Sequence, residues 1–378
     1  MSKIQSIEVA HVSIPLDQIT SFSTRTVHER HYCLVKVSNV DGVQGIGFCY
    51  VGSAAGAITK VAVEQLLAPK LIGQESHRSA GLWEEMYAES LLQGRAGSVM
   101  RAISILDNAI WDMNARAAQL PLHHYLGAVV NDRVPAYASG GYYLDGKTPS
   151  HLAKEMLSYV AKGFRAVKMK TGRLSPREEE ERLRAVRDAV GDDIIVTLDA
   201  NNAWHDLPTA MEYIKRFEQY NPYWIEEPFS PDAIDLHARL ASRTSITVAT
   251  GEIEAGRWRH RELLESEACE ILQTDAAVCG GITEWRKIAS YAAAKGVTVC
   301  PHWFHDLHAP LVAATSNARF VEYFTDDQVL NFRRLINKQL GFENGDLILH
   351  QTPGLGFEFN ETAVLQYVQG DRQWTTII

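Results

Sequence analysis

Seven side chains that can carry charge recur along this sequence at nearly regular intervals. They are separated by 29, 27, 26, 23, 27 and 20 residues and are, in order, Lys170, Asp199, Glu226, Glu252, Asp275, His302 and Glu322. An amine, an imidazole and several carboxylates can together move protons and hold a cation. Scattered solvated charges would fall in loops and on exposed helix faces without a common spacing. The spacing therefore favours one active site assembled from successive structural units.

The carboxylates of Asp199, Glu226 and Glu252 predict a metal site. Three acidic groups converging in one pocket repel one another unless a cation holds them. Oxygen ligands select Mg²⁺, with Mn²⁺ as a possible substitute.

A zinc site is the competing interpretation, because His302, His305 and His308 form an HxxHxxH run. We place only His302 at a strand end. His305 and His308 are interpreted as the start of the following helix, where they form polar pocket wall or a solvated face.

Lys168 and Lys170 lie in the segment RAVKMKT. Alternate residues of a strand point the same way, so both ammonium groups would face the protein interior. A buried lysine must be paired or have a lowered pKa, and a lysine with a lowered pKa can act as a general base. We assign the base to Lys170, which is nearer the strand end. Lys168 either pairs with a metal-ligand carboxylate or takes part in the chemistry.

Asp275 and His302 predict a second acid–base group. They end neighbouring strands, which would let the carboxylate fix one tautomer of the imidazole while the other ring nitrogen transfers protons. A buried histidine with a purely structural role is the alternative. Glu322 would donate to, or share a proton with, the substrate oxygen that becomes negative.

The elements that position these side chains can be predicted from capping signals. The first helix would run from Thr148 to Gly163 and the next from Ser175 to Gly191, because Pro suits the first helical turn and Gly the position after the last. The strands are predicted at Arg165 to Lys170, Ile194 to Asp199, Tyr223 to Glu226, Thr247 to Glu252, Glu270 to Asp275, Val297 to His302 and Arg319 to Glu322. Strands that alternate with helices favour a parallel sheet closed into a barrel, whose active site lies at the C-terminal ends of the strands.

The first 125 or so residues have a different pattern. Alternating strands are predicted at Ile4 to Pro15 and His31 to Val40, followed by a glycine-rich turn and long helices through Ser98 to Ala118. This pattern predicts a separate α+β domain with a boundary near Val129.

Composition excludes several classes of protein. The chain has 378 residues, 46% of them apolar, and a net charge of -9, so a globular fold is expected and nucleic acid is not an expected partner. Neither a secretory signal nor a membrane-spanning run is present, and five dispersed cysteines are typical of reduced thiols. We therefore expect a cytoplasmic protein without a membrane partner.

These motifs resemble the enolase superfamily and, within it, the mandelate racemase subgroup. The resemblance in the barrel rests on VKMK, LDANNAW, WIEEP, the GE pair in ATGEIE, LQTD followed by CGGIT, CPH and VEYF. Elsewhere, ILDNAIWDMNARAAQLPLHHYLG resembles the helix of a capping domain and PGLGFE its returning C-terminal segment. The resemblance implies an α/β fold: a (β/α)7β TIM-like barrel at 129–350 and an N-terminal α+β capping domain at 1–128, completed by about 351–378.

The resemblance also implies roles for individual residues. Asp199, Glu226 and Glu252 would bind Mg²⁺, Lys170 would be one base, His302 with Asp275 the other, and Glu322 the acid on the carboxylate side. Loops of the capping domain, at Asp17 to His28 and Tyr50 to Ala54, would close over the mouth and select the substrate. A homo-oligomer is implied as well.

The predicted half-reaction removes a proton from the carbon beside a carboxylate and gives an enediolate stabilised by Mg²⁺, with Lys168 and Glu322 nearby. We favour dehydration of a sugar acid or aldarate to a 2-keto-3-deoxy acid, because AYASGGYYLDGK and the order of motifs resemble the tartrate dehydratase branch. The predicted substrate-binding residues are Asn201, Tyr50, Arg25, His28 and Trp303, with His305 and Asp306 also at the mouth.

Any one of these polar residues could instead be a solvated loop position. The alternative reactions are those of a racemase, an epimerase or a lactone cycloisomerase that uses the same residues. A non-catalytic barrel that only binds a ligand is the alternative from another class.

Overall fold

An antiparallel sheet with helices precedes a ring of parallel strands in the computed structural model, which describes residues 2–130, 132–325, 330–370 and 373–378. The N-terminal part contains strands β1 (Ile4–Ser21), β2 (Thr26–Asn39) and β3 (Gln44–Tyr50), helices α1 (Ala57–Val61), α2 (Ala68–Leu71), α3 (Ser79–Ser90), α4 (Gly97–Ala117) and α5 (Leu122–Tyr125), and a π-helical stretch at Ala62–Leu67. Helix α4 packs against β3, and the carboxylate of Asp112 accepts hydrogen bonds from the backbone N–H groups of Ile46 and Leu355.

Two predictions for this part are corrected. The segment Asp17 to His28 is the tip of a continuous β1–β2 hairpin, with its turn at residues 22–25, because cross-strand pairing continues to Ser21 and Thr26. The glycine-rich segment forms strand β3 and pairs with β2 along its whole length.

The ring alternates strands and helices from β4 to β11. Its elements are β4 (Arg133–Ser139), α6 (Pro149–Ala161), β5 (Ala166–Lys170), α7 (Pro176–Val190), β6 (Ile195–Asp199), α8 (Leu207–Phe217), β7 (Trp224–Glu226), α9 (Ile234–Ala241), β8 (Thr247–Thr250), α10 (Gly256–Glu265), β9 (Ile271–Leu272), α11 (Gly281–Ala294), β10 (Thr298–Val299), α12 (His305–Ala313) and β11 (Val321–Tyr323). A short 3-10 helix, Glu218–Tyr220, extends α8.

The strands of the ring pair in parallel in chain order. Strand β11 pairs with β4, and a bridge between Val299 and Ala318 joins β10 to the segment that leads into β11, so the ring is closed. Eight strands with seven intervening helices confirm the predicted (β/α)7β barrel. The predicted helix starts are also correct, because Thr148 and Ser175 cap α6 and α7 through their side chains.

Three strands end earlier than the sequence predicts. Strand β8 ends at Thr250, β9 at Leu272 and β10 at Val299. Glu252, Asp275 and His302 therefore lie in the loops that follow these strands, where the backbone is free to aim side chains at the mouth.

The C-terminal part contacts both the barrel and the N-terminal sheet. It contains a 3-10 helix (Asn331–Leu335), a hairpin of β12 (Gly341–Glu343) and β13 (Asp346–Ile348) that pairs with β4, helix α13 (Glu361–Tyr367), and strand β14 (Thr375–Ile377), which pairs with β1. The domain limits drawn from the sequence stay a prediction. In the described part of the chain, no helix is long and apolar enough to cross a membrane.

The floor of the barrel is apolar. Tyr137, Trp224, Ile271 and Phe320 are buried together in one cluster. The Lys168 ammonium group is 5.6 Å from the centre of the Tyr137 ring, so charged residues begin directly above this floor.

Candidate active site

A cavity of 360 Å³ lies between the C-terminal ends of the strands and the capping domain. Six of the seven recurring charged side chains line it, and the seventh, Glu226, is completely buried beneath it. A larger cavity of 560 Å³ beside α6 contains none of the seven. The fold therefore brings the predicted residues to one mouth.

Lys168 is buried at the centre of the acidic residues. Its Nζ is 2.8 Å from Oε1 of Glu226, 2.6 Å from Oε1 of Glu322 and 3.5 Å from Oδ2 of Asp199. Burial opposes its protonation, but Glu226 and Glu322 outweigh burial and raise the pKa of Lys168 well above its usual value. Pairing with acidic side chains, one of the two predicted possibilities, is therefore the observed arrangement.

Lys170 ends strand β5 and pairs with Asp199. Its Nζ is 2.5 Å from Oδ2 of Asp199, and the rings of Phe22 and Tyr142 lie 5.8 and 5.3 Å from it. Burial opposes protonation here too, but Asp199 raises the pKa of Lys170 above its usual value. The lowered pKa expected of Lys170 as a base is wrong in this arrangement, because the Asp199 carboxylate contacts Nζ directly.

The three predicted metal ligands follow neighbouring strands, and Asp199 and Glu226 are register partners of β6 and β7. Burial and the charge of Asp199 raise the pKa of Glu226 to about 8, although Lys168 lowers it. Glu252 also raises it. The three carboxylates thus repel one another in a site where little water can screen them.

Among the described residues, no group of three acidic, histidine or cysteine side chains stands in the geometry of a metal site. Lysine ammonium groups contact Asp199 and Glu226 instead. The donor chemistry fits a hard divalent cation, because the set consists of mutually repelling carboxylate oxygens. Roles as ligands stay a prediction for these residues.

Asp275 and His302 form the predicted dyad. Nδ1 of His302 is 3.0 Å from Oδ2 of Asp275, and its Nε2 is 3.5 Å from Oε1 of Glu252. Burial opposes protonation of the ring, but Glu252 and Asp275 raise the pKa of His302 to about 9. The imidazole is therefore a cation at neutral pH in this arrangement.

His308 supports this dyad from behind. Its Nε2 is 3.3 Å from Oδ1 of Asp275 and accepts a hydrogen bond from the N–H of Ala276, while Nδ1 lies 2.8 Å from the carbonyl oxygen of Trp303. Helix α12 begins at His305, as predicted, but His305 and His308 are buried. Neither residue lines the cavity, so the prediction of a pocket wall or a solvated face is wrong.

Glu322 lies between the buried lysine and the mouth. Its Oε2 accepts a hydrogen bond from the Trp303 N–H at 2.8 Å. Burial would raise its pKa, but Lys168 and His302 lower the pKa of Glu322 to about 2. The side chain is an acceptor in this arrangement, and its predicted role as an acid stays untested.

Four of the five predicted substrate-binding residues line the cavity: Asn201, Tyr50, Arg25 and Trp303. His28 does not, because it lies on strand β2 beyond the hairpin tip and is exposed. Asp306 is also away from the cavity, since it is buried beside His305 at the start of α12.

The hairpin tip is fastened to the barrel mouth. The Ser23 hydroxyl donates to the Ala200 carbonyl oxygen, and the Thr24 hydroxyl donates to that of Asn201 at 3.1 Å. This contact places Arg25 and Phe22 at the cavity.

The sequence did not predict three charged residues that line the cavity: Glu227, Arg30 and Arg101. Glu227 follows Glu226 in WIEEP, and burial together with Glu252 raises its pKa well above the usual value. The Arg30 guanidinium stacks 4.5 Å above the Trp303 ring. Arg30 precedes the buried Tyr32 by two residues, and alternate residues of a strand point the same way, so the sequence could have revealed the orientation of Arg30. Nothing in the sequence distinguishes Arg101.

A barrel under a capping domain, with lysine, histidine and carboxylates at its mouth, defines the enolase class of folds. Family models agree: residues 4–127 match the N-terminal domain of mandelate racemase and muconate lactonizing enzyme, and residues 151–363 match the enolase C-terminal domain-like model. The chain therefore belongs to the enolase superfamily, in its mandelate racemase subgroup.

Known relatives cover nearly the whole chain. An arabinonate dehydratase of Saccharolobus solfataricus is 32% identical over 90% of this chain and 91% of its own length. A D-galactarolactone cycloisomerase of Agrobacterium fabrum is 29% identical over 98% of this chain and all of its own. The crystal structure of L-talarate/galactarate dehydratase from Salmonella typhimurium with Mg and L-lyxarohydroxamate is 29% identical and has a TM-score of 0.91, covering 100% of this chain and 94% of that one.

Proposed function

We propose that this protein is a Mg²⁺-dependent dehydratase of sugar acids. It removes the proton on the carbon beside a carboxylate and expels the β-hydroxyl group as water, which gives a 2-keto-3-deoxy sugar acid. One observation carries the proposal: Lys170 and the His302–Asp275 dyad line the same cavity as Asp199, Glu252 and Glu322. An acid–base pair beside a carboxylate cluster is what α-proton removal requires.

The chain's own residues supply both proton transfers. Once its pairing with Asp199 is broken, Nζ of Lys170 releases its own proton to solvent, and the neutral amine takes the α-proton. The electron pair of the C–H bond becomes the double bond to the β-carbon. Nε2 of His302 gives its proton to the departing hydroxyl, while Asp275 holds Nδ1 at 3.0 Å. The resulting enol then becomes the ketone. Lys168, which Glu322 holds at 2.6 Å, orients the reacting carboxylate.

Asp199, Glu226 and Glu252 would hold the metal ion. Bound there, Mg²⁺ would supply positive charge that counters the Asp199 carboxylate and the charge that develops on the substrate carboxylate.

A racemase, epimerase or cycloisomerase is the second candidate. The same pair of proton-transfer groups would suffice for it, and a cycloisomerase is among the relatives of the chain. Only dehydration produces a 2-keto acid from a hydroxy acid, so the product distinguishes the candidates.

The test is an assay of purified protein with Mg²⁺ against a library of sugar acids. We expect a 2-keto product and exchange of the substrate α-hydrogen with solvent deuterium, and we expect Lys170→Ala to abolish both. Lys295→Ala serves as the control with unchanged activity, because Lys295 lies at the C-terminal end of α11. Exchange or isomerisation without a 2-keto product would support the second candidate. If no acid exchanges its α-hydrogen, and neither Mg²⁺ nor any acid changes the melting temperature, the result would favour the non-catalytic binding protein.

We also propose a cytoplasmic homo-oligomer that acts on a small carboxylate substrate and has no nucleic-acid or membrane partner. The net charge of -9 supports the absence of nucleic acid. Light scattering of the purified protein tests its oligomeric state.

A further inference from the structure

Arg101 reaches the cavity from the capping domain. It lies in the first turns of α4, is half-buried, and lines the same cavity as Lys170 and His302. One guanidinium nitrogen donates to the carbonyl oxygen of Tyr50 at 2.9 Å, which fixes the side chain against the loop after β3.

The two lysines of the site are already neutralised. Lys168 contacts Glu226 and Glu322, and Lys170 contacts Asp199. Among the described residues, Arg101 has no carboxylate partner within ion-pair distance, and its hydrogen bond goes to the neutral carbonyl group of Tyr50. A positioned guanidinium that lines the cavity without a carboxylate partner is suited to bind a carboxylate, because its planar donors match the two carboxylate oxygens.

The location of Arg101 determines which end of a substrate it can reach. The reacting end must lie at the barrel residues Lys170, His302 and Asp199, whereas Arg101 belongs to α4 of the capping domain. After Tyr50, whose carbonyl oxygen Arg101 contacts, the chain continues into Val51 and Gly52, which line the cavity and carry no charge. A ligand that bridges the two walls therefore meets a barrel-side carboxylate site at one end and a guanidinium at the other.

We infer that Arg101 binds a second carboxylate at the far end of the substrate, so that the preferred substrates are diacids rather than monocarboxylic sugar acids. This inference rests on the proposed function. A monoacid would place a neutral hydroxyl group beside Arg101 and lose one charge-assisted ion pair.

The experiment compares matched acids that differ only at the far carbon: galactarate with galactonate, glucarate with gluconate, and arabinarate with arabinonate. For the pair that is turned over, we expect the wild type to prefer the diacid. Arg101→Gln should lower kcat/KM for the diacid by roughly 10²-fold, mainly through KM, and change that for the monoacid by less than about 3-fold. Arg101→Lys should recover part of the loss, because it restores the charge.

Arg95→Gln is the matched control, since Arg95 is exposed in the loop before α4 and outside the cavity. It should leave both activities unchanged. Binding of each acid to Lys170→Ala in the presence of Mg²⁺, measured by calorimetry, provides a second readout and should also favour the diacid.

Turnover of monoacids in preference to diacids would overturn the role of Arg101 and leave the dehydratase proposal intact. Equal losses for both members of a pair in Arg101→Gln would also overturn it, because they would indicate a structural role. If no acid of the panel binds or exchanges its α-hydrogen, both proposals fall.

Discussion

The candidate site depends on individual buried charges that stabilise one another. Lys168 has no water to solvate it and is stabilised by Glu226 and Glu322 at 2.8 and 2.6 Å. Each member of such a group depends on the others, since removing one partner leaves an uncompensated charge in the interior. Histidines that are buried without a carboxylate partner have no compensating charge, so burial keeps them neutral.

His260 is such a residue and makes the protein sensitive to acid. Its ring is buried on α10, and burial lowers its pKa to about 4 from 6.5. The unfolded chain takes up this proton at a higher pH than the folded protein does, so the stability contributed by neutral His260 is lost as the pH falls from about 6.5 towards 4. We expect this residue to account for about 2 kcal/mol of the difference in unfolding free energy between pH 7.5 and pH 5.

Urea unfolding of wild type and His260→Gln at the two pH values measures this contribution. The variant should lose about 2 kcal/mol less than the wild type on acidification. His205→Gln, at an exposed position, should behave as the wild type does. Equal acid sensitivity of wild type and His260→Gln would contradict the assignment.

Among the elements, helix α7 positions the end of strand β5. Its residue Arg182 donates to the carbonyl oxygen of Lys170 at 2.9 Å and to that of Gly141 at 3.0 Å, and it pairs with Glu179. Glu179 in turn accepts the N–H groups of residues 173 and 174. One buried ion pair therefore fixes the backbone at Lys170, in the loop that follows it and at Gly141.

Arg182→Met should destabilise the protein by about 3–5 kcal/mol, because Glu179 would remain buried without its counter-ion. The measurement is the urea midpoint at neutral pH. Arg177→Met is the control on the same helix: the Arg177–Glu181 pair is exposed, so its loss should cost less than about 0.5 kcal/mol. Equal effects of the two substitutions would exclude the proposed importance of burial.

In the whole molecule, the capping domain docks on the start of helix α11. The Asp107 carboxylate accepts the Thr283 N–H at 2.8 Å and the Thr283 hydroxyl at 2.6 Å, and the Trp83 ring N–H donates to the carbonyl oxygen of Gly280 at 2.6 Å. These buried polar contacts hold Arg101 and the loop after β3 above the barrel mouth.

Gly281 allows this close approach. Its φ is +86°, and an added Cβ would lie 2.5 Å from a carboxylate oxygen of Asp107. Gly281→Ala should therefore destabilise the protein by about 3 kcal/mol, from backbone strain together with overpacking. Gly296→Ala is the matched control, because φ is +73° there but nothing lies within 4 Å, so only the strain of about 1 kcal/mol should remain. Urea midpoints of the two variants test the difference. Equal values would mean that the contact between the capping domain and α11 accommodates the added Cβ without cost.

The sequence by itself determined the fold and most of the site. Capping residues such as Thr148 and Ser175, the alternation in RAVKMKT and the regular spacing of charged residues are local patterns, and they act through short-range propensities that a linear sequence displays. They were sufficient to predict the barrel and the residues that meet at its mouth.

Only the tertiary structure decided how these residues interact. Asp199 holds Lys170 protonated, His308 supports Asp275, and Arg101 faces the cavity, because the fold brings together side chains that are remote along the chain. Burial and pairing set the pKa of each group, and both depend on three-dimensional neighbours that spacing along the sequence does not specify.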